Sequence, residues 1–349
     1  MDPVSVAEQI KTASGGGILG DAGISPQLTE PVLGDSGAIF SVDEVLREQM
    51  EEFRRRSLSA NTVRGYESDW QDFTSWCEQR GKSALPADLE TLSLYFVDCA
   101  QRLKNATLTR RIAAISRMHR NAGFDSPTGE AKFRQMMAGV RRKRQSPQVT
   151  KRPLLATDLF EILAQLDEST AQGLRDRALL VVGFTGALRR SELVALNYED
   201  IRWTREGMVL HVRSSKTDQE GQGSEVGIPM GRKPGTCPVR LLKAWLDFAN
   251  IKSGPVFRPI KKGGTIEESR LGDRSVALIV KRTVGHAGFS GEEFGGHSLR
   301  AGLATSAALA GQHERDIMQQ TRHKSEKMVR KYIRKGSLFQ GNVVDSLGF

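Results

Sequence analysis

Two segments near the carboxyl end of the chain carry polar groups at spacings that suit phosphate chemistry. Residues 295–302 read GGHSLRAG and place His297 and Arg300 three residues apart at the predicted start of a helix. Side chains at this spacing share a helix face, and the exposed N–H groups of a helix start favour a phosphate. The second segment, residues 329–335 (VRKYIRK), surrounds Tyr332 with cationic side chains. We interpret both segments as parts of one site that attacks a phosphodiester.

The chemistry of such a site sets four requirements. Cleavage of a phosphodiester by a side chain needs a nucleophile, cations that neutralise the non-bridging oxygens, a base and an acid. Tyr332 is a poor nucleophile unless a base or cations help it, because a free phenol has a pKa of about 10. Arg189, in the segment GALRRSELVAL, lies three residues before Glu192, which would orient its guanidinium toward a phosphate. Each motif alone also fits a simpler interpretation: a helix start with incidental polar residues, a surface ion pair, or a half-buried tyrosine.

Other catalytic chemistries lack their sequence motifs in this chain. There is no Walker loop, and the six histidines show neither HExxH nor HxxxH spacing. The three cysteines form no CxxC pair, so neither a disulfide framework nor a cysteine zinc site is predicted, and a reducing cytosol is the natural compartment. We therefore expect no metal and no cofactor, which favours a covalent route through a protein nucleophile.

The charge distribution indicates a polyanionic partner. The 349 residues carry a net charge of +10, and residues 101–150 alone hold 12 Lys or Arg against 2 Asp or Glu. A surplus this dense favours nucleic acid, and a solvated basic surface is the alternative. No apolar run approaches the ~20 residues of a membrane span, and no signal peptide is predicted. The predicted DNA-binding cations are Arg110, Arg111, Arg117, Arg120, Arg141, Arg142, Lys143 and Arg144.

The elements that must position these residues fall into two predicted domains. One helix of the first domain, ATLTRRIAAISRMHRNAG, is expected to bury Leu108, Ile112, Ile115 and Met118 and to keep its arginines largely outside that stripe. In the second domain LRDRALLVVGFTGALRRSELVALN is predicted to be helical, and GMVLHVRSS and EVGIPM form a hairpin. The predicted divisions are a disordered arm over 1–40, a helical domain over 41–145, a linker over 146–153, a mixed domain over 154–336 and a tail over 337–349.

Taken in order, these motifs resemble those of the tyrosine recombinase (phage integrase) family, with its Cre-like and Xer-like members. The series is R-x-x-E, then K-T in a hairpin, then H-x-L-R-A-G, then a histidine nine residues before Y-I-R. The resemblance spans about residues 41–349. It implies a mainly α fold with a small β-sheet, in which a helical core-binding domain and an α+β catalytic domain form a clamp on DNA. The matching residues are Arg189, Glu192, Lys216, His297, Arg300, His323 and Tyr332.

The resemblance also implies a role for each matching residue. Arg189 and Arg300 would clamp the scissile phosphate. His297 would assist proton removal from Tyr332, which would form a 3′-phosphotyrosyl bond, or would donate to a phosphate oxygen. His323, where some relatives have tryptophan, would donate to a non-bridging oxygen. Lys216 at the hairpin tip would protonate the leaving 5′-oxygen, and Lys233 takes that role if the hairpin is placed wrongly.

Site-specific recombination of double-stranded DNA is the function that the resemblance implies. Two protomers on paired inverted sites would assemble into a homotetramer across two sites, with the tail either docking on a neighbouring protomer or packing on its own domain. A cytoplasmic, nucleoid-associated protein is expected. Two alternatives remain open at this point: a type IB topoisomerase, which uses a similar residue set, and a non-catalytic DNA-binding protein.

Overall fold

The computed structural model divides the chain into two compact units, Met1–Gln148 and Val149–Phe349. It describes residues 32–33, 39–40, 43, 46–47, 49–50, 53, 58–144, 151–213, 223–323, 325–327, 329–330 and 332. Some of the predictions concern residues outside these ranges, namely most of the arm and of the linker, the hairpin tip with Lys216, and the tail. Among the described residues, no helix is long and apolar enough to cross a membrane.

Over residues 58–144, which the structure describes without gaps, the first unit has four α-helices: α1 (Ala60–Glu78), α2 (Leu89–Arg102), α3 (Asn105–Asn121) and α4 (Ala131–Arg144). Helices α1 and α2 begin at N-cap residues whose side chains accept a backbone hydrogen bond. The Ser59 side chain accepts from the Thr62 N–H, and the Asp88 side chain accepts from the Thr91 N–H. The helices bury a cluster of aromatic rings at α1, α2 and α4, with centroids about 5 Å apart: Phe73, Tyr95, Phe96 and Phe133. Before α1, strands β1 (Val32–Leu33) and β2 (Ile39–Phe40) pair antiparallel, within the range predicted to be disordered.

The buried face of α3 differs from the predicted stripe and includes Arg111. This side chain is 7% exposed, and its guanidinium bonds the Asp72 carboxylate, the Tyr95 hydroxyl and the Cys99 sulfur. Asp69, also buried, pairs with it at 3.4 Å. Burial, followed by Cys99 and Asp72, raises the pKa of Tyr95 although the charge of Arg111 opposes that change, so its hydroxyl stays protonated. The prediction that Arg111 contacts DNA is therefore wrong, because it satisfies buried carboxylates in the core.

In the parts of the second unit that the structure describes without gaps, seven α-helices accompany a three-stranded antiparallel sheet in the order β3-β4-β5. The strands are β3 (Ile201–Trp203), β4 (Gly207–Val212) and β5 (Ser224–Pro229), and Met208 pairs with Ile228 and Leu210 with Val226 on the buried face. The predicted class, mainly α with a small β-sheet, is confirmed. The helices are α5 (Ala156–Gln165), α6 (Ala171–Thr185), α7 (Arg190–Ala195), α8 (Pro238–Phe248), α9 (Asp273–His286), α10 (Ser298–Leu309) and α11 (Glu314–Thr321).

The stretch predicted to be helical from Leu174 to Asn197 is in fact two helices with a turn between them. Helix α6 ends at Thr185 and α7 begins at Arg190. Between them Ala187 has a φ of +45°, a left-handed conformation that interrupts the helix. Ten of the twelve residues from Leu174 to Thr185 are buried, and this core-embedded helix holds the turn in place.

A close backbone approach fixes α10, which carries the GGHSLRAG segment. A Cβ built on Gly302 would lie 1.7 Å from the Leu154 carbonyl oxygen, so no side chain fits there. The Leu154 N–H in turn donates to the Ser298 carbonyl at 3.0 Å. Helix α10 is thereby held against the segment that precedes α5.

Candidate active site

The turn between α6 and α7 presents Arg189 at the start of a helix. Arg189 is the N-cap of α7, and its backbone N–H donates to Oε2 of Glu192 at 2.9 Å. Its Nη1 donates to Oε1 of the same carboxylate at 2.5 Å. Burial acts to raise the pKa of Glu192, but the bonds from Arg189 and the charge of Arg322 outweigh it and leave that pKa lowered. An ionised glutamate therefore orients the Arg189 guanidinium, whose side chain stays 19% exposed.

Arg300 reaches the same turn from α10. It is 1% exposed, and its Nη1 donates to the Ala187 carbonyl at 2.7 Å. Its Nη2 has no hydrogen-bond partner among the described residues. Burial, followed by the nearby charge of Arg189, lowers the pKa of Arg300 to about 10, so it remains a cation at neutral pH. A buried cationic donor without an acceptor is costly, and an incoming anion would satisfy it.

His297 and Tyr332, 35 residues apart in sequence, are in hydrogen-bond contact. Nε2 of His297 lies 2.9 Å from the Tyr332 hydroxyl oxygen. Partial burial, followed by the charges of Arg300 and Arg189, lowers the pKa of His297. Burial raises the pKa of Tyr332, although Arg300 opposes that change. At neutral pH the imidazole is uncharged and the phenol is protonated, a pair with the geometry of a base and a nucleophile.

His323 stands beside the same tyrosine at the end of α11. Its ring centroid is 5.9 Å from that of Tyr332. Nδ1 lies 2.6 Å from the Thr321 hydroxyl, which itself donates to the Ile317 carbonyl at 2.6 Å. Because that hydroxyl has a single proton, it accepts from Nδ1–H, and Nε2 of His323 is left for a ligand. Burial and the Arg300 charge lower the pKa of His323 to about 4.

Two residues that bind these groups carried no motif in the sequence. Arg322 donates to the Gly186 and Ala187 carbonyls and, at 2.9 Å, to Oε2 of Glu192. Thr321 sets the ring of His323, as described above. The only sequence feature that could have pointed to Thr321 and Arg322 is their position directly before His323 in the segment TRH. The sequence does not show which carbonyl groups the Arg322 guanidinium reaches.

The structure thus brings together five of the six predicted catalytic residues with Glu192. Lys216 lies outside the described residues, and Lys233 precedes the short helical turn Pro234–Thr236, where it is exposed. Within the described ranges no group of three or more His, Cys, Asp or Glu side chains is placed to hold a metal ion. The arrangement offers a phenol, a neutral imidazole and guanidinium donors around one point, which meets three of the four requirements for phosphodiester cleavage.

The predicted DNA-binding cations of the first unit divide by their surroundings. Arg120 is exposed, and so are Arg141, Arg142 and Lys143 in the last turn of α4. Arg110 is also exposed, but it pairs with Asp69 at 3.0 Å. The remaining members are less open to a ligand: Arg117 is half-buried, Arg144 donates to the Leu103 carbonyl, and Arg111 lies in the core.

Comparison with known proteins identifies relatives of both units. The family model described as "Phage integrase family" matches residues 153–337, and that described as "Phage integrase, N-terminal SAM-like domain" matches residues 52–122. The chain is 44% identical over 298 residues to the integrase/recombinase xerD homolog of Selenomonas ruminantium, covering 84% of this chain and 86% of that protein. It is 25% identical over 312 residues to the recombinase cre of Escherichia phage P1, covering 84% and 89%.

The fold is also that of solved recombinase structures. The XerH site-specific recombinase bound to palindromic difH substrate, in a post-cleavage complex, aligns with a TM-score of 0.59 at 15% identity, covering 88% of this chain and 84% of that chain. At this identity the likeness concerns the fold alone. The first family model covers more than half of the sequence and the Selenomonas relative is similar along most of it, so the chain belongs to the phage integrase family.

Proposed function

We propose that Arg189, His297, Arg300, His323 and Tyr332 are the catalytic residues of this chain, a tyrosine site-specific recombinase that breaks and rejoins DNA strands. The observation that carries the assignment is the 2.9 Å contact between His297 Nε2 and the Tyr332 hydroxyl. Arg189, which ends the α6–α7 turn, and Arg300, which is bonded to that turn, supply the positive charge that a phosphate needs beside this pair.

In the proposed cleavage step the Tyr332 oxygen attacks the phosphorus of the scissile phosphodiester. Nε2 of His297 accepts the phenol proton as the new P–O bond forms. Arg189 and Arg300 neutralise the non-bridging oxygens. The negative charge of the bound phosphate favours the imidazolium form of His323, which then donates to one of these oxygens from Nε2. The bond to the 5′-oxygen breaks, and that oxygen takes a proton from Lys216. The product is a 3′-phosphotyrosyl adduct, and attack by a 5′-hydroxyl reverses the steps.

The proposed substrate is double-stranded DNA with paired inverted binding sites. The named relatives are recombinases, and the XerH structure holds its difH substrate. The exposed cations of α4 would bind phosphates irrespective of sequence. We propose a homotetramer in the synaptic complex, with the tail over 337–349 docked on a neighbouring protomer, and a nucleoid location for the protein in the cytoplasm.

A suicide substrate tests the nucleophile. The experiment incubates the protein with a duplex nicked so that the cleaved strand leaves, and then counts covalent protein–DNA adducts under denaturing conditions. We expect wild type to accumulate the adduct and Tyr332→Phe to form none. Tyr198→Phe is the matched control, because Tyr198 packs against the core of the same unit and should leave the rate unchanged. Adduct formation by Tyr332→Phe at the wild-type rate would refute the assignment.

No observation on the described residues favours a type IB topoisomerase or a non-catalytic DNA-binding protein, and the named relatives are recombinases. A plasmid assay separates the three activities. Recombination between two copies of a preferred site is expected. Relaxation of any supercoiled plasmid without synapsis would point instead to a topoisomerase, and footprints without cleavage would point to a binding protein.

A further inference from the structure

We infer that Arg322 is a positioning residue that holds both phosphate-binding arginines in place without itself contacting the DNA. This inference rests on the proposed function, because it concerns the arginines of the same site. Arg322 is the C-cap of α11 and directly precedes His323. Its side chain is 13% exposed.

The contacts of Arg322 fasten the end of α11 to the turn between α6 and α7. Nη1 donates to the Gly186 carbonyl at 3.1 Å, and Nη2 donates to the Ala187 carbonyl at 3.4 Å and to Oε2 of Glu192 at 2.9 Å. These partners lie 130 to 136 residues earlier in the chain. One side chain therefore ties two distant parts of the active site together.

Two of the acceptors used by Arg322 are shared with a catalytic arginine. The Ala187 carbonyl also accepts from Arg300 Nη1 at 2.7 Å. The Glu192 carboxylate also accepts from the backbone N–H and the guanidinium of Arg189. A shift of the turn or of Glu192 would consequently move both phosphate-binding groups, and small misplacements of such groups strongly reduce reaction rates.

The donors of Arg322 are not placed to bind DNA. Both of its terminal Nη atoms already have protein acceptors, so Nε is its one donor without a partner among the described residues, whereas the unpaired donor of Arg300 is a terminal Nη2. Arg189 differs, because its bonds go to Glu192 alone and its side chain is more exposed. Burial, partly offset by Glu192, lowers the pKa of Arg322. The carboxylate beside it is what stabilises the buried cation.

The backbone at Arg322 indicates that the side chain, not the local conformation, is what the site needs. Its φ of +53° and ψ of 43° lie in the left-handed region, which glycine adopts far more readily than arginine. A glycine would therefore fit this turn, but it would supply no guanidinium. In addition, Arg322 directly precedes His323, so the hydrogen bonds of the Arg322 side chain also fix the backbone from which His323 projects.

The test compares two substitutions of Arg322 with one matched control. Arg322→Lys keeps the charge but loses the planar fork, and Arg322→Gly suits the backbone but removes the side chain. Arg177→Lys is the control, since Arg177 is also buried in the same unit and bonds the Leu166 and Gly235 carbonyls and Glu168. For each protein we would measure the single-turnover cleavage rate on the suicide substrate, the DNA Kd and the thermal midpoint, working well below that midpoint.

We expect both Arg322 variants to cleave about 10- to 100-fold more slowly with a DNA Kd within about twofold of wild type. Arg177→Lys should lower the thermal midpoint and leave the cleavage rate of the folded protein unchanged. Low millimolar guanidinium, far below unfolding concentrations, should restore part of the rate of Arg322→Gly and have no effect on Arg177→Lys.

Three results would overturn the inference. The first is a wild-type cleavage rate in both Arg322 variants. The second is a loss of DNA affinity as large as the loss of rate, which would make Arg322 a phosphate ligand. The third is an equal rate loss in Arg177→Lys, which would reduce the effect to general stability. If wild type itself forms no adduct, the proposed function fails instead, so the two failures are distinguishable.

Discussion

At the scale of single residues, the free protein keeps the proposed nucleophile, Tyr332, protonated and the proposed base, His297, uncharged. Partial burial and two guanidinium neighbours lower the pKa of His297, and burial raises that of Tyr332. Proton transfer between them has no driving force until a phosphate arrives to accept the attack. The same cations that depress the imidazole pKa are the ones that would bind this phosphate.

The lowered pKa of His297 predicts the pH dependence of cleavage. Imidazolium cannot accept the phenol proton, so the rate falls as pH drops through this pKa. Because it lies below the ordinary 6.5, the acid limb should have its midpoint below pH 6.5. Single-turnover rates at subsaturating DNA from about pH 5 to 8 report the free-enzyme value. His297→Asn should be slow and lack this limb; an unchanged limb in that variant would assign it to another group.

His323 is expected to donate to the phosphate from Nε2, which becomes protonated when the bound phosphate stabilises the imidazolium. His323→Phe keeps an aromatic ring beside Tyr332 but has no donor, and we expect a loss of rate on the order of 10²–10³. His323→Trp supplies an N–H, so its loss should be much smaller. Cleavage rates of the two variants, with DNA affinity as the control, show whether His323 contributes a hydrogen-bond donor or only a packed ring. Equal losses in both would mean that ring packing, not donation, is the contribution of His323.

At the scale of elements, the position of α10 depends on a glycine. Gly302→Ala would drive a methyl group into the Leu154 carbonyl and should destabilise the protein by about 1–3 kcal/mol. Gly285→Ala in α9 is the matched control, because a Cβ there meets nothing within 4 Å, and it should stabilise by about 0.5–1 kcal/mol. Denaturant unfolding measures both. An unchanged free energy of unfolding in Gly302→Ala would mean that α10 can shift away from Leu154 without loss of stability.

The sequence predicted helices well where apolar residues recur at helical spacing. It did not predict helix breaks that depend on contacts between residues far apart in the chain. Nothing local marks the break at Ala187, because a carbonyl acceptor for Arg300 and Arg322 is a tertiary property. The three-residue strand β3 is too short for a period to be visible. Residue types, spacing and the family resemblance together predicted the motif residues. The link between Arg322 and Glu192 could not be predicted, since it joins segments 130 residues apart.

Across the whole molecule, the net charge of +10 is distributed very unevenly. Residues 1–100 carry 8 Lys or Arg against 17 Asp or Glu, whereas residues 101–150 carry 12 against 2. Charge counting alone, however, does not separate binding cations from structural ones. Arg111 belongs to a buried network, while Arg141, Arg142 and Lys143 are exposed at the end of α4. Replacing an exposed cation should therefore change the salt dependence of DNA binding, whereas replacing a buried one should not.

The salt dependence of DNA binding tests this division. Each neutralised phosphate adds about 0.9 to the slope of log K against log salt concentration, because its counterions are released. Replacing Arg141, Arg142 and Lys143 with glutamine should lower the magnitude of the slope by about 0.9 for every phosphate that the variant no longer neutralises. Arg111→Met should leave the slope unchanged but destabilise the first unit by about 3–5 kcal/mol, since Asp69 and Asp72 lose their buried partner. Titrations at several salt concentrations, made below both thermal midpoints, measure the slopes. If the triple variant kept the wild-type slope while Arg111→Met reduced it, the exposed end of α4 would not be a DNA-binding surface.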